Sequence, residues 1–191
     1  MADSDAKYSL WLMPDRNSHQ WDLLTQTIEA LRKDEQQHGK PPPVFVPHLT
    51  LLGSVSGVGL AELKERVETL AHSCGGVPLR VWLHDLGKGS TFHQCVFIHA
   101  RKTPELLKAY THAQQVFGRA QPGSQATFMP HVSLLYADIP DSTKDRIIAH
   151  LQAEGRLSEK AASFNANSIH IWRTDGDEAS WHEVASIPLV G

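Results

Sequence analysis

Two histidines sit in matching surroundings. Pro47-His48-Leu49-Thr50-Leu51-Leu52 and Pro130-His131-Val132-Ser133-Leu134-Leu135 both read Pro-His-aliphatic-hydroxyl-Leu-Leu, with the histidines 83 positions apart. On an extended strand, residues i and i+2 share a face. His48 therefore lies beside Thr50, and His131 beside Ser133. Leu49, Leu51, Val132 and Leu134 point the other way, into a core. An imidazole titrates near neutral pH and serves as acid or base. A hydroxyl donates a hydrogen bond to negative charge as it builds. Two such pairs facing one cleft are equipment for splitting a phosphate ester. A duplicated packing unit would account for the prolines and the Leu-Leu pairs, but not for a polar ring and a polar hydroxyl recurring together.

The elements that must position these residues follow from hydrophobic periodicity and from turn signals. Tyr8 to Met13 reads as a strand stopped by Pro14. Ser18 to about Gln37 reads as a helix, with Trp21, Leu24, Ile28 and Leu31 on one face and Gly39 as the stop. Pro41-Pro42-Pro43 is a stiff connector into a strand over Val44–Leu52. Gly53 to Gly59 reads as a loop, followed by a helix carrying Leu60, Leu63, Val67 and Leu70 and ending near Gly75-Gly76. Val77–Leu86 and Thr91–Ala100 read as paired strands. Thr103 caps a third helix with Pro104 at its first position; this helix carries Leu106, Leu107, Tyr110 and Phe117. Arg119 to Ala126 reads as a polar loop and Phe128–Tyr136 as the second motif strand. Pro140 starts a fourth helix with Ile147, Ile148 and Leu151 inward. Strands over Phe164–Arg173 and Ser180–Ile187 flank the turn Thr174-Asp175-Gly176-Asp177. Strand, helix, motif strand occurs twice, which points to an internally duplicated α+β architecture with antiparallel pairs in one domain, residues 1–191.

The 191 residues carry a net charge of −3 with neutral histidine, 41% hydrophobic and 20% charged residues. No basic tract appears, so binding of long nucleic acid through many phosphates is not expected. A small nucleotide needs only a few donors. Two cysteines, Cys74 and Cys95, do not make a disulfide framework, and the sequence leaves a bridge between them open. The acidic, apolar-poor start Met1-Ala2-Asp3-Ser4-Asp5 does not read as a signal peptide, and no apolar run is long enough for a bilayer. No membrane partner and a reducing, cytoplasmic setting are the expectations. The 12 histidines show no paired metal-ligand spacing beyond the two motifs; no metal and no cofactor are expected.

The doubled His-x-Thr/Ser motif on strands resembles the signature of the 2H phosphoesterases. Tyr8-Ser9-Leu10-Trp11, Phe45-Val46-Pro47-His48-Leu49-Thr50, Gln94-Cys95-Val96-Phe97, Leu134-Leu135-Tyr136-Ala137 and Trp181-His182-Glu183-Val184 make the chain similar to the plant and fungal cyclic nucleotide phosphodiesterases in particular. Where that pattern carries a bulky aromatic, this chain has His93. The resemblance implies a bilobal fold with two antiparallel sheets facing a central cleft and helices outside. It implies a small cyclic phosphate nucleotide as substrate. ADP-ribose 1″,2″-cyclic phosphate would give ADP-ribose 1″-phosphate, and nucleoside 2′,3′-cyclic phosphates would give nucleoside 2′-phosphates. A non-catalytic nucleotide-binding module and an RNA-end cyclic phosphodiesterase are the alternatives, and a monomer is expected. His48 and His131 become the catalytic pair, with His131 as base and His48 as acid. Thr50 and Ser133 bind the phosphate. Tyr136 joins them if the strand bends or ends before it, because three residues past Ser133 an extended strand points it away. Trp11 and Phe92 are expected to flank the nucleoside by stacking, against the commoner fate of strand aromatics in a core.

Overall fold

The structure, a computed structural model, describes residues 6–36 and 42–189. The expected helix stop at Gly39 and the first proline of the connector lie outside those residues. In chain order the elements are β1 (Tyr8–Leu12), α1 (His19–Gln36), β2 (Leu49–Val55), α2 (Leu60–Ser73), β3 (Leu79–Val81), β4 (Leu83–Lys88), β5 (Val96–Ala100), α3 (Pro104–Val116), α4 (Ser124–Thr127), β6 (His131–Leu135), α5 (Asp141–Glu154), α6 (Glu159–Ala162), β7 (Phe164–Ala166), β8 (Ser168–Arg173) and β9 (His182–Pro188). Two 3-10 turns, Phe92–Gln94 and Glu178–Ser180, complete the set. No helix among the described residues is long and apolar enough to cross a membrane.

The chain is α+β, and its strand pairing is antiparallel. The large sheet runs β4-β5-β6-β2-β1-β8-β9, with β3 and β7 forming a separate pair. The two expected sheets are thus halves of one continuous sheet, β4-β5-β6 and β2-β1-β8-β9. They join where Leu49 of β2 pairs with Val132 of β6. Both residues stand one place after a motif histidine. The unit β1-α1-β2 is matched across this seam by β5-α3-β6, so the seam pair lies on an approximate twofold axis of the duplication. The alternation works as the strand period demands: Leu49, Leu51, Val132 and Leu134 are all buried and join one core with Leu24, Ile28, Leu63, Val67 and Leu106 from the helices.

Several boundaries differ from the expectation, each for a local reason. Pro47 and Pro130 cannot donate to a ladder, and β2 and β6 begin only after them. β2 then runs on through Gly53 and Ser54 to Val55, where a loop was expected. The Val77–Leu86 segment breaks at the exposed Trp82, because β3 pairs with β7 whereas β4 pairs with β5. The start of the Thr91–Ala100 strand winds into a 3-10 turn, closed by Gln94 N–H donating to the Thr91 carbonyl at 3.0 Å. The polar stretch before Phe128 holds the short α4. Leu60, expected on the inner face of α2, is exposed. Cys74 and Cys95 are both free thiols.

The α3 start follows the sequence reading. Thr103 is extended (φ −69°, ψ 155°) and its hydroxyl accepts from Leu106 N–H at 3.2 Å, with Pro104 at the first helical position. Removing that acceptor leaves one more helix N–H unpaired. Thr103→Ala is expected to lower stability by about 1 kcal/mol, a drop of roughly 2–4 °C in Tm for a chain of this size. Thr103→Ser should recover most of it in the same thermal melt.

Candidate active site

Antiparallel pairing about Leu49 and Val132 decides what meets what. In that register His48 stands across from Ser133, and Thr50 across from His131. Residues directly opposite in an antiparallel pair project from the same face. The four motif side chains therefore gather on one face of the sheet, each imidazole with a hydroxyl two places along its own strand and another across the seam. All four line a cavity of about 550 Å³, within the size range of small-molecule sites.

Each ring is oriented in the same way. Nδ1 of His48 donates to the Val46 carbonyl at 2.7 Å, and Nδ1 of His131 donates to the Met129 carbonyl at 2.8 Å. Both bonds reach two residues back along the chain. With Nδ1 carrying the proton, Nε2 of each neutral ring is the free base. An aromatic from the neighbouring strand backs each histidine. Trp11 pairs with Thr50 in register and stacks on His48 (centroids 3.6 Å apart, 13° between planes). Phe97 pairs with Ser133 in register and lies against His131 (5.0 Å, 54°). Trp11 and Phe97 are equivalent positions of the duplication. Gly87, opposite Phe97 in β4, makes room for that ring: a Cβ there would lie 2.6 Å from Phe97 Cε2.

Burial breaks the symmetry. His48 is 5% exposed, and burial pushes its pKa down to about 4, helped by the nearby His131 and His93 rings. His131 is less enclosed; burial lowers its pKa too, with His99 adding to the effect. Tyr136 lines the cavity because β6 ends at Leu135. Its hydroxyl faces His48 Nε2 at a long 3.5 Å, and its ring stacks on Phe45 at 3.9 Å. Burial pushes the phenol well above its usual range. The hydroxyls differ as well. Ser133 donates to the His93 carbonyl at 3.0 Å, whereas the Thr50 hydroxyl has no partner among the described residues.

The two aromatics expected beside a nucleoside have other surroundings. Trp11 is 2% exposed, stacked on His48 and on Trp172, with Trp181 edge-on at 6.1 Å. It therefore backs the histidine and offers no open face. Phe92 is 39% exposed and edge-on to His93 at 5.1 Å, outside the cavity lining.

Sequence reasoning missed part of the lining. His93 faces the cavity, and its Nε2 bonds Glu178 at 2.7 Å. That bond joins the turn before β5 to the turn before β9, so it crosses between the halves of the sheet. Arg119 holds the Gly53 carbonyl at 2.7 Å and also the Ser54 carbonyl, where Ser54 has a left-handed φ of 55°. Tyr110, Gln114, Phe128 and Met129 form the far wing. The spacing of Tyr110 and Gln114 on α3 was the one available signal for that wing. No Asp or Glu lines the cavity; its charged or titratable groups are Arg119, the three histidines and the tyrosines. Of the other strand histidines, His84 bonds Asp85, His170 bonds Glu183 and His182 bonds the Ser180 carbonyl, whereas His99 stands across from His131 and lies against Phe97. Among the described residues no group of three or more His, Cys, Asp or Glu could hold a metal ion.

Known proteins resemble the chain along nearly its whole length. The cyclic phosphodiesterase of Arabidopsis thaliana is 29% identical over 185 residues, covering 93% of this chain and 92% of that protein. The 2′,3′-cyclic-nucleotide 3′-phosphodiesterase of Yarrowia lipolytica is 29% identical over 212 residues, covering 91% and 95%. In fold, the apo form of E. coli LigT superposes with a TM-score of 0.62 at 13% identity, covering 97% of this chain and 98% of that one. The family described as cyclic phosphodiesterase-like protein matches residues 7–189. The chain belongs to that family, in the plant and fungal branch of the 2H phosphoesterases.

Proposed function

We propose that this enzyme hydrolyses small cyclic phosphodiesters by two-histidine acid–base catalysis, without a metal. The substrates are nucleoside 2′,3′-cyclic phosphates, opened to nucleoside 2′-phosphates, and ADP-ribose 1″,2″-cyclic phosphate, opened to ADP-ribose 1″-phosphate. The observation that carries the reading is the seam pair Leu49–Val132, which sets two imidazoles and two hydroxyls on one face of one cavity. The absence of carboxylates from the lining suits an anionic substrate, and the activity named for the Yarrowia relative is of this kind.

Opening the ring needs a water to lose a proton and a ribose oxygen to gain one. One histidine must be neutral and the other protonated. Burial favours neutral His48, whose Nε2 lies free of its own proton. The less enclosed His131 is the easier ring to charge, and a bound phosphate anion raises it further. In this reading His48 Nε2 takes the proton from water as the P–O bond to that oxygen forms. His131 Nε2–H gives its proton to the ribose oxygen as the old P–O bond breaks. Exchange with solvent restores both rings. This assignment reverses the one implied by resemblance, and burial is the reason. Thr50 donates to a non-bridging oxygen directly, whereas Ser133 must first leave the His93 carbonyl.

His48→Ala and His131→Ala should each lower kcat by about 10²–10⁴-fold while far-UV circular dichroism stays that of the parent. An aryl phosphodiester releasing 4-nitrophenolate needs little proton donation. It should rescue His131→Ala and leave His48→Ala inactive; the opposite pattern exchanges the roles.

The pH profile follows from the same shifts. The rate rises with pH as His48 loses its proton near pH 4 and falls as His131 loses its proton below the ordinary imidazole value. The kcat/KM profile reports the free enzyme and should peak below about pH 6.5. The kcat profile should peak higher, because bound phosphate raises both rings. The two limbs belong to the coupled pair. A kcat/KM optimum well above neutrality would contradict the burial argument.

Full activity should persist in EDTA. Loss on chelation, restored by a single divalent ion, would replace the metal-free mechanism.

A further inference from the structure

Imidazoles cross one face of the sheet strand by strand, and the proposed chemistry uses only the inner pair. His84 lies in β4, His99 in β5 and His131 at the start of β6, while His48 stands just before β2; these strands are neighbours in that order. His99 pairs with His131 in register, so the two side chains leave the same face with Cβ atoms about 5 Å apart. The His84 ring stacks beside that of His99 at 5.9 Å and 25°, and its Nδ1 bonds Asp85 at 2.7 Å. Phe97 packs against both His99 and His131, with ring centroids 4.9 Å and 5.0 Å away. Gly87 leaves room for this cluster: a Cβ there would lie 2.6 Å from Phe97 Cε2 and 2.8 Å from His99 Nε2. His84, His131 and His48 are each held by a hydrogen bond, whereas neither ring nitrogen of His99 has a partner among the described residues.

Phe97 is 2% exposed. A charge on His99 therefore acts on His131 past a buried apolar ring, where screening is weaker than across solvent. The charged or titratable neighbours that act on His99 are His84 and Asp85 of β4. Around His131 they are His99 of β5 and, across the seam, His48. His93, Tyr110, Arg119 and Tyr136 line the same cavity, and Arg119 is committed to the Gly53 and Ser54 carbonyls. Burial lowers the pKa of His99, His131 and His48, and the next ring outward lowers each further: His84 acts on His99, His99 on His131, and His131 on His48. Asp85 opposes this at His99, as the Met129 and Val46 carbonyls do at the two motif rings. We infer that His99, backed by His84 and Asp85, is a positioning residue that controls the charge on His131 and with it the pH range of turnover. The inference rests on the reading of His131 as the proton donor and names the group that governs it. A ring beside a second cation gives up its proton more readily, which suits a donor to the leaving ribose oxygen.

The test pairs two substitutions that differ in charge. His99→Gln removes the charge and keeps a polar side chain; His99→Lys makes the charge permanent. The titration midpoint of His131 is read by NMR from its ring Cε1–H signal, assigned by its loss in His131→Gln, with circular dichroism as the check on folding. His99→Gln should raise the midpoint by about half a unit to one unit, whereas His99→Lys should leave it at or below the parent value. The descending limb of kcat/KM on a nucleoside 2′,3′-cyclic phosphate should move with the midpoint in each variant. A midpoint unchanged in His99→Gln overturns the inference. So does a rise in both variants, which would make His99 a packing group beneath Phe97. Midpoints that move as expected while the limb stays fixed overturn the role in turnover and remove His131 as the donor. A parent enzyme inactive on nucleoside 2′,3′-cyclic phosphates overturns the functional reading instead, and the midpoints, which need no turnover, still judge the coupling of His99 to His131.

Discussion

Everything at the site hangs on one backbone pairing. Leu49 and Val132 contribute no chemistry, yet their register decides that His48 faces Ser133 and Thr50 faces His131. Because side chains alternate with period two, a slip of one residue would turn all four motif groups into the core and expose Leu49, Leu51, Val132 and Leu134. Burial of those aliphatics and display of the four motif groups are therefore one constraint. The hydrophobic core enforces the geometry of the cleft.

Duplication supplies two similar half-sites, and unequal packing makes them different. Trp11 lies closer and flatter on His48 than Phe97 does on His131. The Phe45–Tyr136 stack further encloses His48. An imidazole out of water holds its proton weakly, so the aromatic surroundings act through desolvation on the two motif imidazoles. The same packing leaves Thr50 free and Ser133 engaged. An empty cleft thus presents one ready donor and one that must reorient.

The two motifs, their strands, the four principal helices and the duplicated order were legible because each is a local pattern. Leucine alternation marked the strands, and Thr103-Pro104 marked a helix start. What escaped was created by packing between distant segments. His93 meets Glu178 across 85 positions, and Arg119 reaches back 66 positions to Gly53; no spacing rule announces either. Trp11 shows the opposite limit. Its position beside the motif was readable, but whether its ring meets a ligand or a histidine depends on Trp172 and Trp181 closing over it. Tyr136 depended on where a strand stops, and the end of β6 at Leu135 is a property of the whole sheet edge.

The approximate twofold at the seam has a stereochemical consequence. A cyclic phosphate has two ring oxygens, and a site with true twofold symmetry could not tell them apart. It would open the ring from either side and yield a mixture of isomeric monoesters. A single product requires some departure from the twofold to fix which way the sugar points. Here the departure is the contrast between the filled wing of Trp181 and His93 on one side and the open wing beside α3 on the other. Any polarity of bond cleavage would thus be set by parts of the chain outside the two motifs.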